Sequence, residues 1–247
     1  MLGAIIGDII GSRFEFRNYK SKEFELFHDD CFATDDSIMT LAVAEAIMNC
    51  HGDYSKLYEA TIASMRLIGP KYPCSGYGEN FFRWLFVEKP KPYDSYGNGA
   101  AMRISPVAYI SKSLADVKKY SRVVTETTHN HIEGLKGSAA VASAIFLARE
   151  GKAQAEIRKY IEQNYYNLAF TLDEIRPTYE FDASCQGTVP QAIVAFLEAN
   201  SFEDAIRNAI SIGGDADTIA AITGSIAEAY FTIPEEISKK ALTYLDE

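Results

Sequence analysis

The stretch Ser211–Phe231, "SIGGDADTIAAITGSIAEAYF", places two aspartates and a threonine between a glycine pair and a run that is otherwise apolar. From Ile219 onward the run reads as a buried helix. Ala220, Gly224 and Ala227 form a face small enough for a second helix to approach closely, although a glycine inside a helix costs about 1 kcal/mol relative to alanine. A helix start needs one capping oxygen. Asp215, Asp217 and Thr218 supply more than that.

The same combination opens another helical segment. In "FATDDSI", Thr34, Asp35 and Asp36 precede a stripe of Ile38, Leu41, Ala42, Ala46 and Ile47 at helical spacing. A third oxygen donor, Glu15, follows the apolar N-terminal segment in "GSRFEF". Capping and the helix dipole account for either acidic cluster taken singly. Its recurrence points to a shared site, because four carboxylates held together repel unless a cation or protons compensate them. Carboxylates and hydroxyls are hard donors suited to Mg, Mn or Ca rather than Zn. Two facing clusters could hold a pair of metals about 3.5–4 Å apart. The tetrapeptide "DADT" falls one residue short of the D-x-D-x-T of aspartyl-phosphate phosphatases and lies near the C-terminus rather than in a first strand, which sets that chemistry aside.

Helical periodicity dominates the rest of the chain. Ala139–Ala148, "AAVASAIFLA", is apolar nearly all round and predicts a central buried helix, and Val189–Leu197 reads alike. Val123 and Val124 form an isolated apolar pair that could be strand, but no alternating segments joined by hairpin turns accompany it. The expectation is an all-α single compact bundle over residues 1–247. Arg17–Ala33 and Pro70–Asn98 read as long loops, the second around "NFFRWLF"; loops this long in a compact domain are often functional. Phe24 and Phe27 could cover a ligand from the first of them, while Phe82 and Trp84 read as packing.

The chain has 247 residues, 47% of them hydrophobic, and a net charge of −10. That charge excludes non-specific nucleic-acid binding and a polybasic membrane surface. Cys31, Cys50, Cys74 and Cys185 form no C-x-x-C pair and fit a reducing cytoplasm. The apolar start "MLGAIIGDIIG" has no cationic residue before it and is interrupted by Asp8, so it does not read as a signal peptide, and no segment has the roughly 20 apolar residues of a membrane span. A cytoplasmic protein starting at Met1 is expected.

The segments "GAIIGDIIGSRFEF", "TDDSIMTLAVAEAI", "SYGNGAAMRISPVA", "THNHIEGLKGSAAVASAIFLA" and "GGDADTIAAITGSIAEAYF" together resemble the ADP-ribosylglycohydrolases, the family of dinitrogenase reductase-activating glycohydrolase and the ADP-ribosyl-acceptor hydrolases. They stand in the family's order, from near Met1 to near Ile233. The resemblance implies an orthogonal helical bundle with two divalent cations, Mg or Mn, in a central cleft. It implies Thr34, Asp35, Asp36, Asp215, Asp217 and Thr218 as metal ligands and Glu15 near the metals, beside a mobile loop. Ser95, Tyr96, Gly97, Asn98 and Gly99 would bind the diphosphate and distal ribose, with His129 beside the substrate. Gly97 and Gly99 suit that role, since glycine lets backbone N–H groups come close to phosphate. Of the pair His129 and His131, a substrate contact or a helix cap is expected rather than metal binding.

The implied reaction is metal-dependent hydrolysis of the N- or O-glycosidic bond between ADP-ribose and a modified acceptor, protein or small molecule. A carboxylate would deliver water or protonate the leaving group, Glu15 first and Asp35 or Asp36 second. Two alternatives stand beside it: a non-catalytic ADP-ribose-binding or crystallin-like structural member, and a hydrolase of a free ADP-ribosylated metabolite. The complete set of six ligand positions favours the enzyme.

Overall fold

The computed structural model describes residues 1–246, which form fourteen α-helices and two short 3₁₀ turns. The helices are α1 (Leu2–Ser12), α2 (Asp35–Asn49), α3 (Leu57–Ile68), α4 (Glu79–Phe86), α5 (Gly99–Met102), α6 (Ser105–Ile110) and α7 (Leu114–Thr125). They continue with α8 (Ile132–Arg149), α9 (Gln154–Asn164), α10 (Leu172–Ile175), α11 (Cys185–Leu197), α12 (Phe202–Ser211), α13 (Ala216–Tyr230) and α14 (Glu235–Leu242). No strand occurs among the described residues, only an isolated antiparallel bridge between Gly97 and Ser184. The architecture is therefore all-α, as the periodicity predicts. Val123 and Val124 are not strand: they lie within α7, where Val124 is wholly buried and Val123 packs against the core. The Pro70–Asn98 segment is loop on either side of α4, whose Phe81, Trp84 and Leu85 are buried.

Helix α13 is buried from Ala216 through Ala227 and packs against α1, α12, α11 and α8. Its polar interior residues are satisfied locally: Thr223 Oγ1 donates to the Ala192 carbonyl (2.9 Å) and Ser225 Oγ to that of Ile222 (2.7 Å). Its tightest neighbour is α1, and the small-residue face explains why. A Cβ built on Gly3 would lie 2.2 Å from the Gly224 carbonyl oxygen, one on Gly7 2.0 Å from that of Ala220, and one on Gly11 2.5 Å from Asp217 Cα. Gly3, Gly7 and Gly11 recur every four residues, so they share one face of α1. The pairing of Gly3 with Gly224 and Gly11 with Asp217 makes the helices antiparallel. The end of α1 therefore meets the start of α13. Glu228 of α13 closes the opposite end, where its Oε2 accepts the Gly3 N–H at 2.9 Å.

Arg17–Ala33 is held down rather than free. Arg207 Nη1 donates to the carbonyls of Lys22 (2.9 Å) and Phe24 (2.8 Å), and Asn18 Oδ1 accepts the Gly214 N–H at 3.2 Å. Phe24 packs against Phe14, Tyr19 and the Arg207 guanidinium, and Phe27 stacks on Tyr244. Neither lines the cavity described below; each ring finds apolar partners beneath the loop instead. Phe82 and Trp84 do pack as expected, with Trp84 stacked on Phe81 at 5.6 Å.

The α1–α13 contact predicts an asymmetry among glycines. Gly7→Ala adds a methyl group against backbone that cannot yield, and should cost about 2–3 kcal/mol and lower the melting temperature by about 5–10 °C. Gly78→Ala, with nothing within 4 Å of the new Cβ, should change stability by less than about 0.5 kcal/mol. Thermal melts by circular dichroism compare the two, and equal melting temperatures would contradict the close-contact account.

Candidate metal centre and substrate cleft

The capping needs of α2 are met without Asp35 or Asp36. Thr34 Oγ1 accepts the Asp36 N–H at 3.3 Å. Asp8, from the middle of α1, reaches across and accepts the N–H groups of Thr34 (2.9 Å) and Ser37 (3.1 Å), together with the hydroxyls of Thr34 (2.6 Å) and Ser37. At α13 the N-cap residue Asp215 makes no side-chain capping bond, while Asp217 Oδ1 accepts the Thr218 N–H at 2.9 Å. Helix capping thus uses only a few of these oxygens, and the fold brings the rest together.

Two groups of carboxylates have ligand oxygens mutually within 4.8 Å: Asp8, Asp36 and Asp217 form one, and Glu15, Asp215 and Asp217 the other. Asp217 belongs to both. Thr218 Oγ1 donates to Asp36 Oδ2 at 3.2 Å, tying the start of α13 to that of α2. Asp35 lies outside both triads but lines the same cavity, beside Gly76. Among the described residues, none of these six carboxylates pairs with a lysine, arginine or histidine. Asp36 Oδ1 is buried with no hydrogen-bond partner.

Burial shifts every carboxyl the same way, and for several the neighbouring charges add to it. Burial, opposed by its four hydrogen bonds, pushes Asp8 up to about 6. Burial and then the Asp215 and Asp8 charges push Glu15 up to about 7. Burial and then Asp8 and Asp215 push Asp35 up to about 8. Asp36 and Asp217 are displaced well above the carboxylate range, first by burial and then by their acidic neighbours, and Asp215 is raised by burial. An all-oxygen, uncompensated donor set with one orphaned buried oxygen fits hard divalent cations.

A cavity of about 400 Å³ opens beside the carboxylates. Glu15, Asp35, Asp36, Asp215, Asp217 and Thr218 form one wall. Ser95, Gly97, Asn98, Gly99 and His129 form another. Thr34 lies behind the first wall, engaged with Asp8. The glycine loop is pinned at both ends, by Tyr93 N–H to the Thr128 carbonyl (3.0 Å) and Asn98 N–H to the Ala183 carbonyl (2.8 Å). Tyr96 departs from expectation: its side chain is exposed, lies outside the cavity lining and packs edge-on to His131. Asn98 faces the carboxylates, donating from Nδ2 to Asp215 Oδ2 (2.7 Å) and Thr188 Oγ1 (3.1 Å). His131 is the cap of α8, its ring accepting the Glu133 N–H at 3.1 Å.

Sequence reasoning missed Asp8 as a member of the cluster. Its signal was a lone acid inside an apolar helix. Arg103 also went unassigned; it is wholly buried and lines the cavity.

The chain belongs to the ADP-ribosylglycohydrolase family, whose sequence pattern matches residues 1–245. It is 25% identical to human ADP-ribosylhydrolase ARH3 over 311 aligned positions, covering 94% of this chain and 84% of that protein. It is 26% identical to ADP-ribosylarginine hydrolase Tri1 of Pseudomonas putida (strain GB-1) over 278 positions, covering 98% and 73%. A solved ADP-ribosylglycohydrolase-related protein complex shares the fold, with a TM-score of 0.68, 22% identity and coverage of 98% of this chain and 95% of that one. No helix among the described residues is long and apolar enough to cross a membrane.

The raised carboxyls make a prediction for the cation-free protein. Asp35 loses its proton near 3.8 when unfolded but near 8 when folded, so the folded chain retains protons that the unfolded chain has released. Stability then falls as pH rises through this interval. In EDTA the melting temperature should drop steadily from about pH 5 to pH 8, and Asp217→Asn should flatten the drop. A profile rising over this range would mean that the carboxylates do not share one desolvated site.

Proposed function

We propose that the protein is a metal-dependent hydrolase that cleaves the glycosidic bond joining ADP-ribose to a modified acceptor. The observation that carries this reading is the pair of uncompensated carboxylate triads sharing Asp217, set against a glycine loop across one cavity. Family membership and the names of the relatives support the ADP-ribosyl substrate class.

Asp8, Asp36 and Asp217 would hold one cation, and Asp215 and Asp217 a second, with Asp35 and the Thr34 and Thr218 hydroxyls as further oxygen donors and Glu15 left beside the second. Mg or Mn suits these ligands. Bound divalent cations supply positive charge for orienting ribose hydroxyls and making water more acidic. The backbone at Gly97 and Gly99, free of Cβ atoms, lets the diphosphate approach the loop. Asn98 keeps Asp215 aimed at the cavity.

In the reaction, the bond between ribose C1′ and the acceptor nitrogen or oxygen breaks through an oxocarbenium-like state. The departing atom takes a proton, and water adds to C1′, giving ADP-ribose and the free acceptor. The exposure of Glu15 supports it as the group that moves the proton. It is half-buried on the turn after α1, at the cavity wall, while Asp36 and Asp217 are enclosed.

Hydrolysis of defined ADP-ribosyl linkages, assayed on arginine, serine, acetyl and nucleic-acid conjugates with Mg or Mn, tests the reading. Activity should vanish in EDTA and in Asp215→Ala and Asp217→Ala, and Glu15→Gln should lower kcat about 10²–10⁴-fold. Full turnover in EDTA would reject the metal-dependent mechanism. Calorimetric ADP-ribose binding with no turnover of any conjugate would assign the chain to the non-catalytic class instead.

A further inference from the structure

Arg103 is among the largest wholly buried side chains of the molecule and has no carboxylate partner among the described residues. Its guanidinium lies over the Phe81 ring, 5.2 Å from the centroid. Nη2 donates to Thr128 Oγ1 at 2.6 Å and sits 3.3 Å from His129 Nδ1, while Nε has no partner. A buried cation served by one hydroxyl and one imidazole is costly, and the cost points to a task.

The hydrogen bonds dictate the state of the histidine. Arginine only donates, so Thr128 Oγ1 accepts from it. The single Thr128 proton then goes to the remaining partner, His129 Nδ1, at 2.7 Å. Nδ1 faces two donors and must accept. A proton on Nδ1 would oppose the Arg103 N–H, and Thr128 has no other recorded acceptor to turn toward. Burial, and then the Arg103 charge, hold the ring well below the usual imidazole range, so the neutral ring carries its one proton on Nε2. That nitrogen points at the glycine loop, 3.6 Å from where a Cβ of Gly97 would stand and 3.5 Å from one of Gly99. It has no hydrogen-bond partner in the protein, and the ring lines the cavity.

We propose that Arg103 and Thr128 are positioning residues: together they lock His129 as the Nε2–H tautomer, so that it presents one fixed donor beside Gly97 and Gly99 to an acceptor oxygen of a ligand's phosphate or sugar. The ligand's identity rests on the ADP-ribose reading above; the tautomer does not. The arrangement explains why "GNGAAMR" acts as a unit. The loop runs directly into α5, and Arg103 at the C-cap of that four-residue helix turns back beneath the loop it follows. It also sets a selection rule, because a ligand group that can only donate would meet another donor at this point.

Nitrogen-15 NMR of the full chain labelled at its four histidines, with His129→Gln to assign the signal, tests the proposal. His129 Nδ1 should resonate as an unprotonated nitrogen and Nε2 as a protonated one, and ADP-ribose should shift Nε2 more than Nδ1. Thr128→Val removes the nearer of the two donors facing Nδ1, so it should raise the share of the Nδ1–H form and weaken ADP-ribose binding about 5- to 10-fold by calorimetry, and Thr128→Ser should restore both. A proton on Nδ1 in the unaltered protein overturns the proposal and needs no variant to fold. So does a Thr128→Val protein with unchanged tautomer and affinity. A locked Nε2–H in a chain that binds no ADP-ribose would uphold the positioning roles and count against the functional reading alone.

Discussion

The site depends on two helices touching backbone to backbone. With Gly3, Gly7 and Gly11 facing the backbone of Gly224, Ala220 and Asp217, α1 and α13 approach so closely that a Cβ on any of the three α1 glycines would meet that backbone at 2.0–2.5 Å. Their antiparallel sense then has chemical consequences. The start of α13, with Asp215 and Asp217, meets the end of α1, from which Glu15 follows within one turn. Asp8 lies on the same helix and reaches the start of α2, so a third segment is fixed by the same crossing. Wider spacing would separate the oxygens by a side-chain layer, and the triads sharing Asp217 would not form.

Once gathered, the carboxylates are in conflict with their surroundings. Six acidic groups share this region, four of them buried, and among the described residues none is paired with a cation. The N-termini of α2 and α13 offer partial positive charge, and Asp8 receives four hydrogen bonds, yet every one of the six is displaced upward. Proteins tolerate such disagreement with local rules where function demands it. Here the chain does not complete the compensation itself, and protons supply it in the absence of a cation. A cation that filled the site would also relieve the strain of assembling it, so metal binding and stability would be coupled.

Most of the architecture was legible because it follows from periodicity. The all-apolar helices α8 and α13 and the stripe after Thr34 needed only spacing to identify. The two acidic clusters were legible as an excess over capping, and the fold bears this out, since capping at α2 is performed by Thr34 and Asp8. Asp8 was not legible as a site residue because a single acid in an apolar helix states that it is buried but not what it faces. The outward turn of Tyr96 was not legible for a related reason: a motif fixes the loop, whereas the direction of a side chain depends on its partner, here His131. Phe24 and Phe27 looked free in a loop without period. Their partners, Arg207 and Tyr244, lie far along the chain, where no local pattern could signal them.

The two walls of the cavity differ in how they are built. The carboxylate wall is assembled from segments as distant as Asp8 and Asp217, and it is held by long-range packing. The glycine wall is local, a loop leading into α5 and returning through Arg103 to Thr128 and His129. One side chain joins them: Asn98 stands in the loop and donates to Asp215. Displacing the loop would pull on that carboxylate, and displacing Asp215 would pull on the loop. Were both walls to carry ligands, thermodynamic reciprocity would require that whatever one gained from this bond the other gained equally. The 2.7 Å contact between Asn98 and Asp215 is thus a direct physical link between the glycine wall and the carboxylate wall.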